Sequence, residues 1–401
     1  MVNLTTLEWS HLLRGERLPL ILVTSVLFAI GFVGNFAVVL VYRLRLKITD
    51  GRFFIPFLAI ADLCATTVTS SFVLLMDYTE ALFPSDLLCK VLQFLNWSTS
   101  QCSIFLLFAI AVHRYFSVCR PLDMRFTRNW QKAAIVVTVV LAYSIGSPLL
   151  LFSGRVTLHI NYKGSNVTGD VCTFNPGHVK LGEVIYYRIL FIGNILLLGV
   201  MTALYIPIGK VIFQRSKGAK QSASKAKEAK PQITDSNESG QSTDSIKLSI
   251  DLTKDIGPLP TEKNSEPNPK NNDSTPENKK GISIISSALR KRSSAYKTSL
   301  KTKNGKRGGH RSKFTRTIML VVLFYIASYI PFYVIVSTGI NDPNEWFNLP
   351  PWKLNGNLFL YRCYIINNVV NPIIYGLFDS TFRKHLLGFC SSSVQKDKGI
   401  K

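Results

Sequence analysis

Seven apolar runs, each about as long as a bilayer core is thick, dictate what this chain can become. They fall at about 18–43, 53–77, 86–119, 131–153, 184–213, 314–338 and 355–378. A helix rising about 1.5 Å per residue needs about 20 predominantly apolar residues to cross the hydrocarbon. Ile21–Val41 and Ala133–Gly154 contain no charged residue. Inside a bilayer the backbone must satisfy its own hydrogen bonds, so such runs become helices. The expected fold is an all-α membrane protein, a bundle of seven transmembrane helices. A cytosolic enzyme, a secreted disulfide module and a nucleic-acid-binding domain are set aside by the same pattern.

The charges sit between the runs. Of 47 Lys and Arg against 24 Asp and Glu, 22 basic and 10 acidic residues lie in 214–313. The other basic residues cluster in alternate connections: Arg43, Arg45, Lys47 and Arg52; Arg120, Arg125, Arg128 and Lys132; Arg383, Lys384 and His385. Basic loops stay on the cytoplasmic side, which places the N-terminus outside and the C-terminus inside. The intervening loops mix signs, with Asp77, Glu80 and Asp86, then Asp342, Glu345 and Lys353. Met1–Pro19 lacks the apolar core of a cleavable signal, so the first span is expected to act as the signal anchor. The organisation follows: an outer N-terminus (1–17), spans one to five (18–213), a basic third cytoplasmic loop (214–313), spans six and seven (314–378), and a short amphipathic helix with a tail (379–401).

The long loop is poor in aromatics and rich in Ser, Lys, Asn and Pro, a composition expected to stay disordered. Within it Arg290–Ser294 makes Ser293 and Ser294 candidate sites for a basophilic kinase, beside the plainer reading of a solvated charge run. Asn3 and Asn166 head glycosylation triplets on the outer side, while Asn237 heads one in the cytoplasm. Between Arg155 and Phe174 the pattern alternates around Lys163–Asn166, which predicts an extracellular β-hairpin. Cys172 falls on its return strand and Cys89 near the outer end of the third span. Both face the oxidising side, where they can pair or stand as two thiols. Cys390, past the short amphipathic stretch, is a candidate palmitoylation site. The six histidines are dispersed, and no catalytic constellation is visible.

Polar residues inside the spans are costly there and point to function. Asp62 lies mid-span, and Asn35, Ser103, Asn367 and Asn371 fall at similar depths. A carboxylate among hydroxyl and amide oxygens suits sodium, and it also suits a hydrogen-bonded packing cluster with a protonated Asp62. Pro331 and Pro372 each remove a helix hydrogen bond and create a kink.

Taken together, these residues resemble the rhodopsin-like (class A) G protein-coupled receptors over about 300 residues. The resemblance rests on Gly34 and Asn35; Leu58, Ala59, Asp62 and Leu63; Cys89, 25 positions before Arg114; Arg114 and Tyr115 followed by Pro121 and Leu122; Pro148; Cys172; Tyr205; Pro331; Asn371, Pro372 and Tyr375; and Phe378 with Phe382. It implies a receptor that binds an extracellular ligand within the bundle and activates heterotrimeric G proteins, with arrestin and receptor kinases as further partners, at the plasma membrane. Arg114, Tyr205 and Tyr375 would rearrange to accept the G protein, Leu122 would insert into it, and a sodium ion at Asp62 would leave on activation. No other cofactor is implied.

The chain departs from the family pattern. His113 stands where an acid usually flanks the arginine, and Arg311 where some members carry a second acid. Two restraints on Arg114 are thereby missing, which predicts appreciable basal signalling. Tyr329 and Tyr325 replace the usual Trp and Phe before Pro331. The proline usual near Leu197 is absent, with Pro207 later, and Trp130 is too early for the usual fourth-span Trp.

In this family the amine receptors pair the ligand's ammonium with an Asp 18 positions before the arginine. Here Asn96 occupies that place, so amines are disfavoured. The retinal-binding Lys of the light sensors is replaced by Ile365. Phe72, Asp77, Gln93, Asn96, Trp97, Arg188, Tyr329, Phe332, Tyr333, Tyr361 and Arg362 form a candidate site of rings and charges that suits a peptide. About half of the rings are expected only to pack the bundle. The resemblance is closest to the neuropeptide-receptor branch. The alternatives are a lipid or other small ligand, a receptor that recruits arrestin without a G protein, and a transporter or channel. The last would need an internal repeat or a lined polar path, and neither is seen.

Overall fold

The computed structural model describes residues 4–46, 49–120, 127–174, 181–228, 315–337 and 343–396. The chain divides into two units, Met1–Ser216 with Gly308–Lys401, and Lys217–Arg307. The second is described only through 217–228, which are helical.

The first unit is a helical bundle. Its long helices are α1 (Thr6–Leu44), α2 (Ile55–Tyr78), α3 (Asp86–Cys119), α4 (Arg128–Gly146) with the short α5 (Leu149–Phe152) after it, α6 (Leu181–Glu228, which belongs to this unit up to Ser216) and α7 (Thr315–Ser337). A short α8 (Pro343–Phe347) precedes α9 (Pro351–Arg362) and α10 (Ile365–Phe378), which together make the last span. α11 (Ser380–Lys396) follows as the eighth helix of the expected architecture. The surface is inverted relative to that of a water-soluble protein. Val136, Val137, Val140 and Leu141 on α4 and Ile185, Ile189, Ile192 and Leu196 on α6 are exposed. Asn35, Asp62, Ser103 and Asn367 are wholly buried. Apolar groups outside and polar groups inside suit a hydrocarbon solvent, and the chain is a multi-pass membrane protein.

Three helical segments, and the hairpin as well, differ from their sequence-based bounds. α1 begins at Thr6, not near residue 18, because Thr5 and Glu8 form a reciprocal capping box and the added turns bury Trp9, Leu13 and Arg17. α6 runs on through Glu228, so the first part of the loop expected to be disordered is helical; its Ala, Lys, Gln and Glu are good helix formers. The last span breaks at Cys363–Tyr364, where i→i+3 bonds (Cys363 N to Leu360 O, 3.3 Å; Ile366 N to Cys363 O, 3.0 Å) replace the α pattern.

The hairpin is longer than expected: β1 (Ser153–Tyr162) pairs antiparallel with β2 (Ser165–Phe174), with Arg155 opposite Cys172 and Tyr162 opposite Ser165. Its two-residue turn has positive φ at Lys163 (49°) and Gly164 (87°), the twist that suits a tight hairpin. Cys172 is disulfide-bonded to Cys89 in the first turn of α3. Asp170 exchanges backbone bonds with Ala81 and Phe83, which joins the α2–α3 loop to the sheet. A small core of Trp9, Leu13, Ile160, Tyr162, Val167 and Phe347 binds the start of α1, the hairpin and α8 together. Asn348 locks α8 to the hairpin through Asn161 O (2.8 Å).

Candidate ligand site and coupling face

At the hairpin end, α7, α9 and the Cys363–Tyr364 break bring a cluster of rings together. Phe332 lies 5.3 Å from Tyr333, 5.3 Å from Tyr361 and 5.7 Å from Tyr364, centroid to centroid. Tyr329 meets Phe332, Tyr333 and Tyr364 at 6.4, 6.1 and 6.1 Å, and Tyr333 meets Phe191 at 5.5 Å. The aromatic pair separations are those of favourable edge-to-face and offset contacts. Beside them Asn96 accepts a 2.7 Å hydrogen bond from Thr69, in a stretch that also holds Gln93. The four aromatic candidates from α7 and α9 (Tyr329, Phe332, Tyr333 and Tyr361) therefore converge.

Others of the expected site residues do not join them. Phe72 is 3% exposed and packs with Phe83 and the Cys89–Cys172 bridge. Trp97 lies against Gly146 of α4, where a Cβ would approach its ring to 2.9 Å. Arg188 falls on the exposed stripe of α6 with Ile185, Ile189 and Ile192, so it faces away from the bundle; a shift of one residue along a helix turns the face by about 100°. Asp77 and Arg362 do meet, but they meet each other, in a fork with both N–O distances at 2.7 Å. A second fork, missed in the sequence, joins Arg17 to Glu80 at 2.8 and 2.8 Å, with Asn355 accepting from Arg17 at 3.2 Å. Burial pushes the Glu80 carboxyl above its ordinary range, and Arg17 pulls it back only in part. The sequence placed mixed charges in the α2–α3 loop but gave no partner for Arg17.

Midway along the bundle, both oxygens of Asp62 are taken. Ser103 Oγ donates to one, and Asn371 Nδ2 donates to the other at 2.6 Å. Asn35 and Asn367 were expected on the same carboxylate, and neither hydrogen-bonds it. Asn35 donates to Gly31 O (2.9 Å) and Asn368 O (2.7 Å), bracing α1 on α10, and Asn367 donates to Asn368 Oδ1 (3.2 Å). The Oδ1 atoms of Asn367 and Asn371 are buried acceptors with no partner among the described residues. Close by, Gly34 admits Pro372: a Cβ there would lie 2.9 Å from the proline ring.

At the opposite end, Arg114 is 4% exposed and donates to the carbonyl of Gly51, in the turn before α2. The acid missing at position 113 is thus answered by a backbone oxygen, a contact no residue type announces. His113 pairs instead with Gln131 of α4 (3.3 Å) and lies edge-on to Phe54. Arg52 reaches both oxygens of Asp379 at 3.0 Å, and Asp379 also accepts from the backbone of Thr381 and Phe382 at the start of α11. Tyr375 packs on Phe382 (6.4 Å), and Tyr205 and Tyr375 are buried with hydroxyls that find no partner among the described residues. Tyr115 contacts Phe116. Asn166 is exposed at the start of β2. Asn3, Leu122, Ser293, Ser294 and Arg311 lie outside the described residues, as does the side chain of Cys390.

A bundle of seven membrane-crossing segments, with a ring-lined end tied by one disulfide to a hairpin and a buried arginine at the other end, defines a heptahelical receptor. The chain belongs to the 7 transmembrane receptor (rhodopsin family), which it matches over residues 34–375. Among characterised proteins it is similar to the thyrotropin-releasing hormone receptor of Gallus gallus, 22% identical over 388 residues that cover 94% of this chain and 80% of the relative. It is also similar to the cholecystokinin receptor type A of Homo sapiens, 23% identical over 383 residues that cover 93% and 79%. A QRFP-like peptide receptor of Branchiostoma floridae is 27% identical over 187 residues, 46% of this chain and 48% of the relative.

Proposed function

We propose that the chain is a plasma-membrane receptor for a neuropeptide, with its N-terminus and hairpin outside, and that it activates heterotrimeric G proteins. The observation that carries this reading is the ring cluster of Tyr329, Phe332, Tyr333, Tyr361 and Tyr364 beside the uncharged Thr69–Asn96 pair. Rings of this kind give a peptide side chain apolar subsites, and an amide at position 96 offers no ion pair to an amine. Two relatives that align along nearly the whole chain are named for peptide hormones. Because Asp77 and Arg362 neutralise each other, the ligand reads rings and amides here more than charge.

In this reading the ligand favours a state in which α7 moves at Pro331, and its differential affinity for the two states sets the shift. Arg114 leaves Gly51 to meet the G protein, and the hydroxyls of Tyr205 and Tyr375 find partners in the new arrangement. Leu122 contacts the G protein from the second cytoplasmic loop. Arrestin and receptor kinases act on the same face, Ser293 and Ser294 are kinase sites, Cys390 carries a lipid, and Asn3 and Asn166 carry glycans. A sodium ion fits at Asp62, with Ser103 Oγ and the unpartnered Oδ1 atoms of Asn367 and Asn371 as further oxygens. It would supply charge compensation for the buried carboxylate. None of these roles requires catalysis.

The test is G protein activation in cells expressing the receptor at their surface, scored with pooled neuropeptides and with an amine pool as control. The expected result is a peptide response that is lost in Arg114→Ala at unchanged surface expression. An amine response would overturn the ligand class, and arrestin recruitment with silence in every G protein channel would overturn the coupling.

A further inference from the structure

A hydrogen-bonded amide at its start and a buried ion pair at its end hold α9. Near its start, Asn355 bridges α1: it accepts from Arg17 Nη1 (3.2 Å) and donates to Glu16 O (2.7 Å). At its last residue, Arg362 grips Asp77 of α2 with both terminal nitrogens, and the two side chains are 10% and 2% exposed. Immediately after Arg362 the helix stops being α-helical, and α10 begins at Ile365. α10 is fixed separately, by Asn371 on Asp62 and by Pro372 against Gly34. The last span is therefore two helical pieces with a joint between them, and the fork sits beside the joint. Tyr361, just before Arg362, and Tyr364, within the joint, both touch Phe332 of α7. Anything that pushes those rings apart pulls on Arg362.

We propose that the Asp77–Arg362 fork is a resting-state latch, which holds α9 against α2 until it parts and lets α9 pivot at Cys363–Tyr364. A bidentate guanidinium–carboxylate pair has one geometry, and parting it strands two buried charges, so the latch has a closed state and an open one rather than a graded response. The ring cluster as ligand site belongs to the proposed function; the fork and the joint stand without it. Arg362 is a positioning residue in this scheme.

The test uses the full-length receptor in lipid nanodiscs and needs no ligand. Amide exchange is measured over Leu360–Asn367 in the wild type, in Asp77→Asn, in Arg362→Gln, and in the exchanged pair Asp77→Arg with Arg362→Asp. The single variants are expected to exchange at least about fivefold faster at the joint, the low end of coupling free energies, and the exchanged pair is expected to return toward the wild-type rate. Unchanged exchange in the single variants overturns the latch, and so does an exchanged pair as fast as they are. If the neutral variants do not fold, Arg362→Lys keeps the charge but loses the fork, and wild-type exchange there overturns the proposal. In cells, basal signalling per surface receptor should rise in the single variants and fall back in the exchanged pair. Faster exchange with unchanged basal signalling also overturns it as a latch on activity. If no variant and no wild type signals through any G protein, it is the coupling that fails, and the exchange data still decide the latch.

Discussion

Arg17 has no exposed surface, and its partners are distant in sequence: Glu80 is 63 positions away and Asn355 is 338. Removing one member of a buried ion pair typically costs about 3–5 kcal/mol, because the other charge is left uncompensated. Glu80 keeps 16% of its side-chain surface, so Arg17→Ala is expected near the low end. A thermal melt of the purified receptor should show a clear drop, with Arg17→Lys in between because an ammonium cannot form the fork. A melt unchanged in Arg17→Ala would mean that the pair is solvated. Gly34 makes a second prediction at this scale: Gly34→Val is expected to lower surface expression by forcing α10 off α1, while Gly356→Val, with no atom near its Cβ position, should not. Residues such as Asp62 were legible in the sequence because an acid in an apolar run has few explanations. Arg17 was not, since an arginine at the edge of a span reads equally well as an interface anchor. Its partners become visible only when the chain has folded.

The hairpin shows how far local pattern carries an element. Alternation and the Lys163–Gly164 turn located both strands, and Cys172 fell on the return strand as expected. The start of α1 was not legible: Leu7, Trp9, Leu12 and Leu13 lie outside the bilayer-length run, and the Thr5–Glu8 capping box shows itself in the folded chain. What those turns do depends on their partners. Trp9 is fully buried, 5.4 Å from Phe347 and 6.0 Å from Tyr162. Truncating a buried Trp typically costs about 3–5 kcal/mol, so Trp9→Ala should loosen the start of α1, the hairpin and α8 together. Amide exchange in β1 should rise along with exchange in residues 6–13. A rise confined to α1 would show that the small core does not unite these elements. The break at Cys363–Tyr364 had no local signal at all, because neither residue is a helix breaker; it lies between the fork on one side and the Asp62 contact on the other.

Across the whole molecule the resting state depends on contacts between elements far apart in sequence. Arg114 is held by a backbone carbonyl, a neutral acceptor that gives a weaker contact than a carboxylate fork. His113 and Arg311 stand where the usual acids would be, from which the sequence predicts signalling without ligand; it had no means of foreseeing Gly51. One hold on Arg114 therefore depends on the turn that carries Gly51. That turn ends in Arg52, which is fastened to Asp379 at the start of α11. Asp379 thereby has two tasks: it anchors the turn, and its Oδ1 caps α11 through Thr381 N (2.9 Å) and Phe382 N (3.2 Å). Asn is as good a helix cap as Asp but carries no charge, so Asp379→Asn separates the two. The capped helix should persist while the turn loosens, and basal signalling per surface receptor should rise about fivefold, a typical small coupling free energy. Asp379→Ala, which removes both tasks, should also destabilise α11 and is read beside it. Basal signalling in the wild type equal to that of mock-transfected cells would show that the carbonyl suffices. A rise in Asp379→Ala but not in Asp379→Asn would place the restraint in the capped helix, not in the ion pair that steadies the turn under Arg114.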